Sequence, residues 1–166
     1  MGYVEAFMAW ASVAIGVYGY FGIAAVAAAS AVTVFLPTFP LSFLVFISAA
    51  ELNPIGLGIA AGFGSATGEL VGYLIGRGGE RVLLKKYKKQ IQNLKDLFDK
   101  YHGSLVIFVV AAIPVVPFDI MGLFAGSINY SVKKFYIAAL AGKTVRYTIV
   151  AFAGFYGMSW VLDYLK

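Results

Sequence analysis

The sequence predicts an all-α integral membrane protein built as an inverted repeat of a re-entrant hairpin plus a transmembrane helix. Three observations carry that prediction. Mean hydropathy is +0.84 and only 13% of the 166 residues are charged, against roughly 25% in an ordinary soluble domain. Residues 6–50 hold no charge at all. As one helix, rising about 1.5 Å per residue, they would be about twice as long as a hydrocarbon core is thick, so the stretch has to turn back. The interruption Pro-x-x-Pro also occurs twice, at Pro37/Pro40 and Pro114/Pro117, 77 residues apart. Each precedes a long apolar segment with an internal charge, the pattern of a transporter made of two related halves.

All of 1–166 reads as a single membrane domain. An N-terminal transmembrane helix is expected over 11–31, with residues 3–10 as an interfacial lead-in. Repeat one covers 32–76. It holds a broken segment through Pro37 and Pro40, a turn at Glu51-Leu-Asn-Pro54, and a full span over 55–76. The turn is placed there because the residue before proline disfavours helix. Gly78-Gly79 ends the span.

Residues 77–102 form a basic amphipathic cytoplasmic linker. Leu84, Tyr87, Ile91, Leu94, Phe98 and Tyr101 make one apolar stripe at helical spacing, with Lys85, Lys86, Lys88, Lys89 and Lys95 off it. Such a helix is expected on the cytoplasmic leaflet, its lysines toward anionic headgroups. Repeat two covers 104–158: a segment broken at Pro114 and Pro117, then a last span from about residue 132 with Lys143 and Arg146 inside it.

The positive-inside bias puts the Arg77–His102 loop and Lys133-Lys134 on the cytoplasmic side of a multi-pass protein in the cell membrane. Both can be inside only if 104–127 dips in and returns, and by the same logic 32–50 dips in from the outer side. Each proline removes a backbone donor and blocks an earlier carbonyl. Such backbone survives at membrane depth only where protein covers it or water reaches it, so a wet cavity is expected where the hairpin tips meet. Simple proline kinks in spanning helices are the plainer alternative.

Glu69, Asp119, Lys143 and Arg146 lie at depth, and facing lipid each would cost a few to more than ten kcal/mol, on the order of published insertion costs. Two buried ion pairs that merely fix packing would account for them. The functional reading assigns Glu69 and Asp119 to proton or cation coupling, and Arg146 and Lys143 to an anionic substrate. Arg suits phosphate through its planar fork of donors. Gly64, Gly68, Gly72 and Gly76, four apart, with Gly58 and Gly62 a turn or two earlier, form a ridge for close helix packing, with the last span as the expected partner. Trp10, Tyr18, Tyr20, Tyr130 and Trp160 read as interfacial or lipid-facing aromatics, and His102 as a loop residue.

Other chemistries find little support. The chain has no cysteine and one histidine, which removes thiolate and histidine metal cages; no metal and no cofactor is expected. The net charge of +5 resides in residues 77–102, so it marks one loop rather than a nucleic-acid surface. No nucleophile–base pair or phosphate-binding loop is present, so the chain is not expected to be an enzyme. Met1–Trp10 lacks the basic stretch of a signal peptide.

Gly64-Ser-Ala-Thr-Gly-Glu69-Leu-Val-Gly72-Tyr73-Leu-Ile-Gly76-Arg77 resembles the small-residue span of the DedA superfamily, also called the VTT or SNARE-associated domain. Ile113-Pro-Val-Val-Pro-Phe-Asp119, followed by Ala125-Gly126, Phe135 and Gly142, resembles its second hairpin and following helix. The resemblance implies two facing re-entrant hairpins and a role in moving lipid across a bilayer. Bacterial members are linked to polyprenyl-phosphate carriers and the proton motive force, eukaryotic ones to phospholipid scrambling. The chain departs from the bacterial pattern. Leu41-Ser42 stands where those members have an acid, and Ala111, Ala112 and Pro117 where they have arginines. A phosphate would therefore have to be met by Lys143 and Arg146.

The expected function is transport of a phosphate-bearing lipid, a phospholipid or a polyprenyl-phosphate carrier, between leaflets, with proton coupling as one mode. Its partners are then membrane lipids and anionic headgroups; a homodimer is compatible with the sequence. Two rivals stand beside it: a proton- or cation-coupled carrier of a small soluble solute, using the same residues, and a non-transporting membrane scaffold with the glycine ridge and the lysine helix as partner surfaces.

Overall fold

The computed structural model describes residues 3–32, 39–79, 88–113 and 118–164. These are helical apart from short turns. The elements are α1 (Tyr3–Tyr18), α2 (Tyr20–Val32), α3 (Phe39–Ser48), α4 (Pro54–Gly78), α5 (Lys88–Tyr101), α6 (Gly103–Ala112), α7 (Asp119–Ser127) and α8 (Val132–Tyr164). Among the described residues α4 is the one helix both long and apolar enough to cross a membrane. At 33 residues α8 is longer, about 50 Å, but it carries Lys133, Lys134, Lys143 and Arg146.

The expected single span over 11–31 is in fact two helices. Gly19 adopts φ +53° between α1 and α2, a left-handed geometry that costs an L side chain and comes freely to glycine. The chain folds back there so tightly that a methyl on Gly22 would run into the carbonyl of Ala14. In a straight helix those residues would lie about 12 Å apart. Apolar composition was continuous through Gly19, so hydropathy alone held no sign of the reversal.

Asn53 starts α4 with its side-chain Oδ1 accepting from the N–H groups of Ile55 (2.9 Å) and Gly56 (3.3 Å), and Pro54 occupies the first turn. The cap satisfies two of the helix's orphan donors, and proline loses nothing at that position. At the other end the Gly79 N–H closes on the Ile75 carbonyl at 2.8 Å.

α4 and α8 lie antiparallel across glycines: a methyl on Gly62 would come within 2.5 Å of Thr144 Oγ1, and one on Gly58 would strike Thr148. The shorter helices fill the flanks in a regular pattern. α2 runs parallel to α4, with Tyr20 beside Gly56, Ala24 beside Gly64, and Ala28 and Ala31 beside Gly68. α3 then returns to the Asn53 end, where Phe46 packs on Gly154 of α8. α6 runs parallel to α8, from Gly103 beside Tyr130 to Phe108 and Ala111 beside Gly142. α7 returns along α4, with Gly122 beside Glu69 and Tyr73, and Gly126 beside Tyr73 and Arg77. Each long helix is thus covered first by the arm that precedes it and then by the second arm of the other hairpin. The outer ends of α2 and α3 lie at the Asn53 end of α4, and those of α6 and α7 at its Gly78 end.

Both hairpins are pinned at their bases by tyrosines. Tyr20 Oη accepts the N–H of Asn53 at 2.9 Å, and Tyr130 Oη and Ser104 Oγ share a hydrogen bond at 2.8 Å. The Tyr73 hydroxyl donates to the Tyr130 carbonyl. Tyr20 and Tyr130, expected as interfacial or lipid-facing aromatics, therefore hold the fold together. The breaks at Pro37, Pro114 and Pro117 lie outside the described residues; Pro40 lies in the first turn of α3.

The glycine ridge meets the last span as expected only at its first two glycines, and the last span supplies Lys143 to Glu69. Gly64 and Gly68 face α2 and Gly76 faces Leu123 of α7, while α8 meets Gly58 and Gly62 instead. Positions four apart advance about 40° per step around a helix of 3.6 residues per turn, so Gly64 and Gly76 look toward different neighbours.

The linker helix is the last correction. Ile91, Leu94 and Phe98 of α5 are buried, with Phe98 edge-on to Tyr130 at 5.1 Å. These three residues of the apolar stripe face the protein rather than a leaflet, while Tyr101 is exposed, as are Lys89, Lys95 and Lys100. Leu84 and Tyr87 lie outside the described residues. His102, exposed at φ 59°, sits in the turn before α6 as expected.

Candidate functional site

The distribution of side chains is that of a protein in an apolar solvent. Ile55, Ile59 and Phe63 of α4 and Ile137 and Ile149 of α8 are exposed, while Glu69, Lys143 and Arg146 are only 1–2% exposed. A water-soluble fold would invert that arrangement.

Glu69 lies about 24 Å along α4 from Asn53, at the point where α2 gives way to α7. Lys143 follows Gly142, where α6 ends against α8. The buried charges therefore occupy the level at which α2 and α6 end and α7 begins. There Lys143 Nζ lies 2.9 Å from Glu69 Oε1 and donates to Ser65 Oγ at 2.7 Å. Its remaining side faces the ring of Phe118, 4.9 Å from the centroid. Ser65 and Glu69 are one turn apart on one face of α4, so both reach the same ammonium.

Phe118 is fully buried and immediately precedes α7. It stacks on Phe135, ring centroids 6.1 Å apart, and Phe135 lies 5.2 Å from Tyr73. Arg146, one turn beyond Lys143, is buried and has a partner of its own, while its Nε and Nη1 make no hydrogen bond among the described residues.

The structure thus joins Glu69 to Lys143, with Arg146 on the same helix one turn on. Asp119 begins α7, and its side chain lies outside the described residues. Sequence reasoning missed two members of the site. Ser65 was recognisable as the residue four before Glu69, but serine in a small-residue span reads as packing. Phe118 carried no signal, because an aromatic beside a hairpin break is ordinary apolar sequence. No group of three metal-ligating side chains occurs among the described residues.

The sequence matches the VTT domain over residues 4–156. The chain belongs to the VTT domain family. No curated protein and no solved structure matches it. VTT domain proteins are membrane proteins, in keeping with exposed apolar flanks around buried charge. In this VTT domain the match reaches from α1 into α8 and includes Glu69 and Lys143, so the buried ion pair lies within the family domain itself.

Proposed function

We propose that this VTT domain acts as a carrier, not an enzyme, and moves a phosphate-bearing lipid between the leaflets of the cytoplasmic membrane. One observation carries the reading: the Lys143–Glu69–Ser65 cluster and Arg146 are buried at the level where α2 and α6, packed from opposite ends of the bundle, come to their ends. Helix breaks leave unpaired backbone groups, which at membrane depth have to be met by protein or water. A polar path in an apolar solvent is the reading that suits both features.

In this reading 20–78 and 103–156 are inverted repeats, each a re-entrant hairpin and a spanning helix. Residues 77–102 lie on the cytoplasmic side, and the exposed lysines of α5 face anionic headgroups. Lys143 and Arg146 receive the headgroup phosphate. Glu69 neutralises Lys143 when the site is empty, and Glu69 with Asp119 exchanges protons if transport is coupled.

The test is leaflet exchange in proteoliposomes of the purified protein, with labelled phospholipid and labelled polyprenyl phosphate, with and without a pH gradient. Exchange that is lost in Arg146→Ala supports the lipid carrier, and loss of gradient dependence in Glu69→Gln supports proton coupling. Folded protein that exchanges neither lipid overturns the reading in favour of a small-solute carrier.

A further inference from the structure

α5 and the start of α8 border a cleft of about 430 Å³ at the base of the second hairpin, within the range of about 300–1,000 Å³ usual for small-ligand sites. Phe98 and Ile128 give it an apolar part. Lys95 and Asp99 of α5, Ser131 and Lys134 of α8, all exposed, give it a polar one. Ser131 stands just before the first residue of α8. Apolar packing fixes this arrangement: Ile91, Leu94 and Phe98 are buried on the other face of α5, so Lys95 is brought to the cleft of Lys134 in spite of their like charge.

Nothing within the chain neutralises the two lysines. Among the described residues neither of them, nor Asp99, makes an ion pair or a side-chain hydrogen bond. Lys95 precedes Asp99 by one turn, the less favourable order for a helical pair. Two ammonium groups on separate helices, with the Ser131 hydroxyl beside them, make a site for an anion. Two lysines and one aspartate leave the cleft one positive charge, which a phosphodiester with its single negative charge cancels. A phosphomonoester would bring a second negative charge to Asp99, and a zwitterionic headgroup would bring an ammonium to two lysines.

The surface beyond the cleft says what carries the phosphate. Ile137, Ala141 and Val145 follow Lys134 at helical spacing on one face of α8, and all are exposed. In a membrane protein that face meets acyl chains. We propose that the cleft binds an anionic phosphodiester lipid, whose phosphate bridges Lys95 and Lys134 and whose chains lie along Ile137 to Val145. The site is separate from the buried Lys143 and Arg146, and its lipid is a resident that braces α5 against α8 rather than cargo. It rests on the lipid-carrier reading only in placing this end of the bundle at the headgroup level.

The experiment measures calorimetric binding of dihexanoyl phosphatidylglycerol to the purified full chain in an uncharged detergent, with thermal unfolding in parallel and no leaflet exchange involved. The lipid should bind and raise the melting temperature. Lys95→Gln and Lys134→Gln should each weaken binding about 5-fold, and the pair about 25-fold, while both variants keep the wild-type melting temperature without lipid. Lys89→Gln and Lys133→Gln remove equally exposed lysines outside the cleft and should leave the affinity unchanged. Equal weakening by Lys133→Gln would mean diffuse attraction and overturn the site. Dihexanoyl phosphatidylcholine bound as tightly would overturn the anion. Inorganic phosphate or glycerophosphoglycerol bound as tightly as the lipid would overturn the acyl-chain contacts. Wild-type protein that binds no phosphatidylglycerol overturns the proposal, and leaves the carrier reading to be judged by leaflet exchange.

Discussion

Lys143 of α8 lies 2.9 Å from Glu69 of α4, and this buried ion pair joins the two long helices at the level where α2 and α6 end and α7 begins. Removing one partner of a buried pair leaves an uncompensated charge, at a cost of about 3–5 kcal/mol. Lys143→Met and Glu69→Gln should each lower the melting temperature in detergent markedly. The double variant should lose less than the sum of the two. Additive losses would mean the two side chains do not interact.

The glycine contacts between helices set a second expectation. A methyl on Gly62 would lie 2.5 Å from Thr144 Oγ1 and 2.8 Å from Thr144 Cα, and one on Gly64 would strike the Ala24 carbonyl. Gly62→Ala and Gly64→Ala should therefore destabilise by about 1–3 kcal/mol through overpacking. Gly78, with nothing within 4 Å of the added methyl, should tolerate alanine or gain up to about 1 kcal/mol from helix propensity. Thermal unfolding of the three variants makes the comparison.

At Gly19 the added methyl also meets nothing within 4 Å, yet φ is +53°. The whole effect of Gly19→Ala should come from the backbone, about 1–2 kcal/mol. D-alanine at the same position, introduced by ligation, should restore the stability; a D-alanine variant as unstable as the L-form would contradict the fold-back at this residue.

Because the chain has no cysteine, single cysteines report its topology cleanly. Lys95 and Ser131 line one cleft at the base of the second hairpin, while Glu51 lies at the opposite end beside Asn53. Lys95→Cys and Ser131→Cys should react with an impermeant maleimide from the cytoplasmic side, and Glu51→Cys from the other. Reaction of Ser131→Cys from the side opposite Lys95→Cys would mean that 104–127 crosses the membrane.

Truncating Phe98 should loosen α5. The ring is buried edge-on to Tyr130, and its loss as Phe98→Ala should cost about 3–5 kcal/mol. Lys95→Gln, on the exposed face of the same helix, should leave the melting temperature unchanged.

By itself the sequence determined the membrane class, because an uncharged run over 6–50 admits no other solvent. It also determined that Glu69, Lys143 and Arg146 turn inward, since the cost of facing lipid depends only on residue type and depth. Helix boundaries with local chemistry, such as the Asn53-Pro54 start of α4, were legible for the same reason. The tertiary structure alone decided the reversal at Gly19, the rotation that turns Gly64 toward α2 and Gly58 toward α8, and the burial of the α5 stripe against Tyr130. It alone placed Ser65 and Phe118 on the same ammonium. Those outcomes depend on the relative rotation and translation of helices distant in sequence. An apolar pattern that says only which face avoids water leaves both free when lipid and protein are equally apolar neighbours.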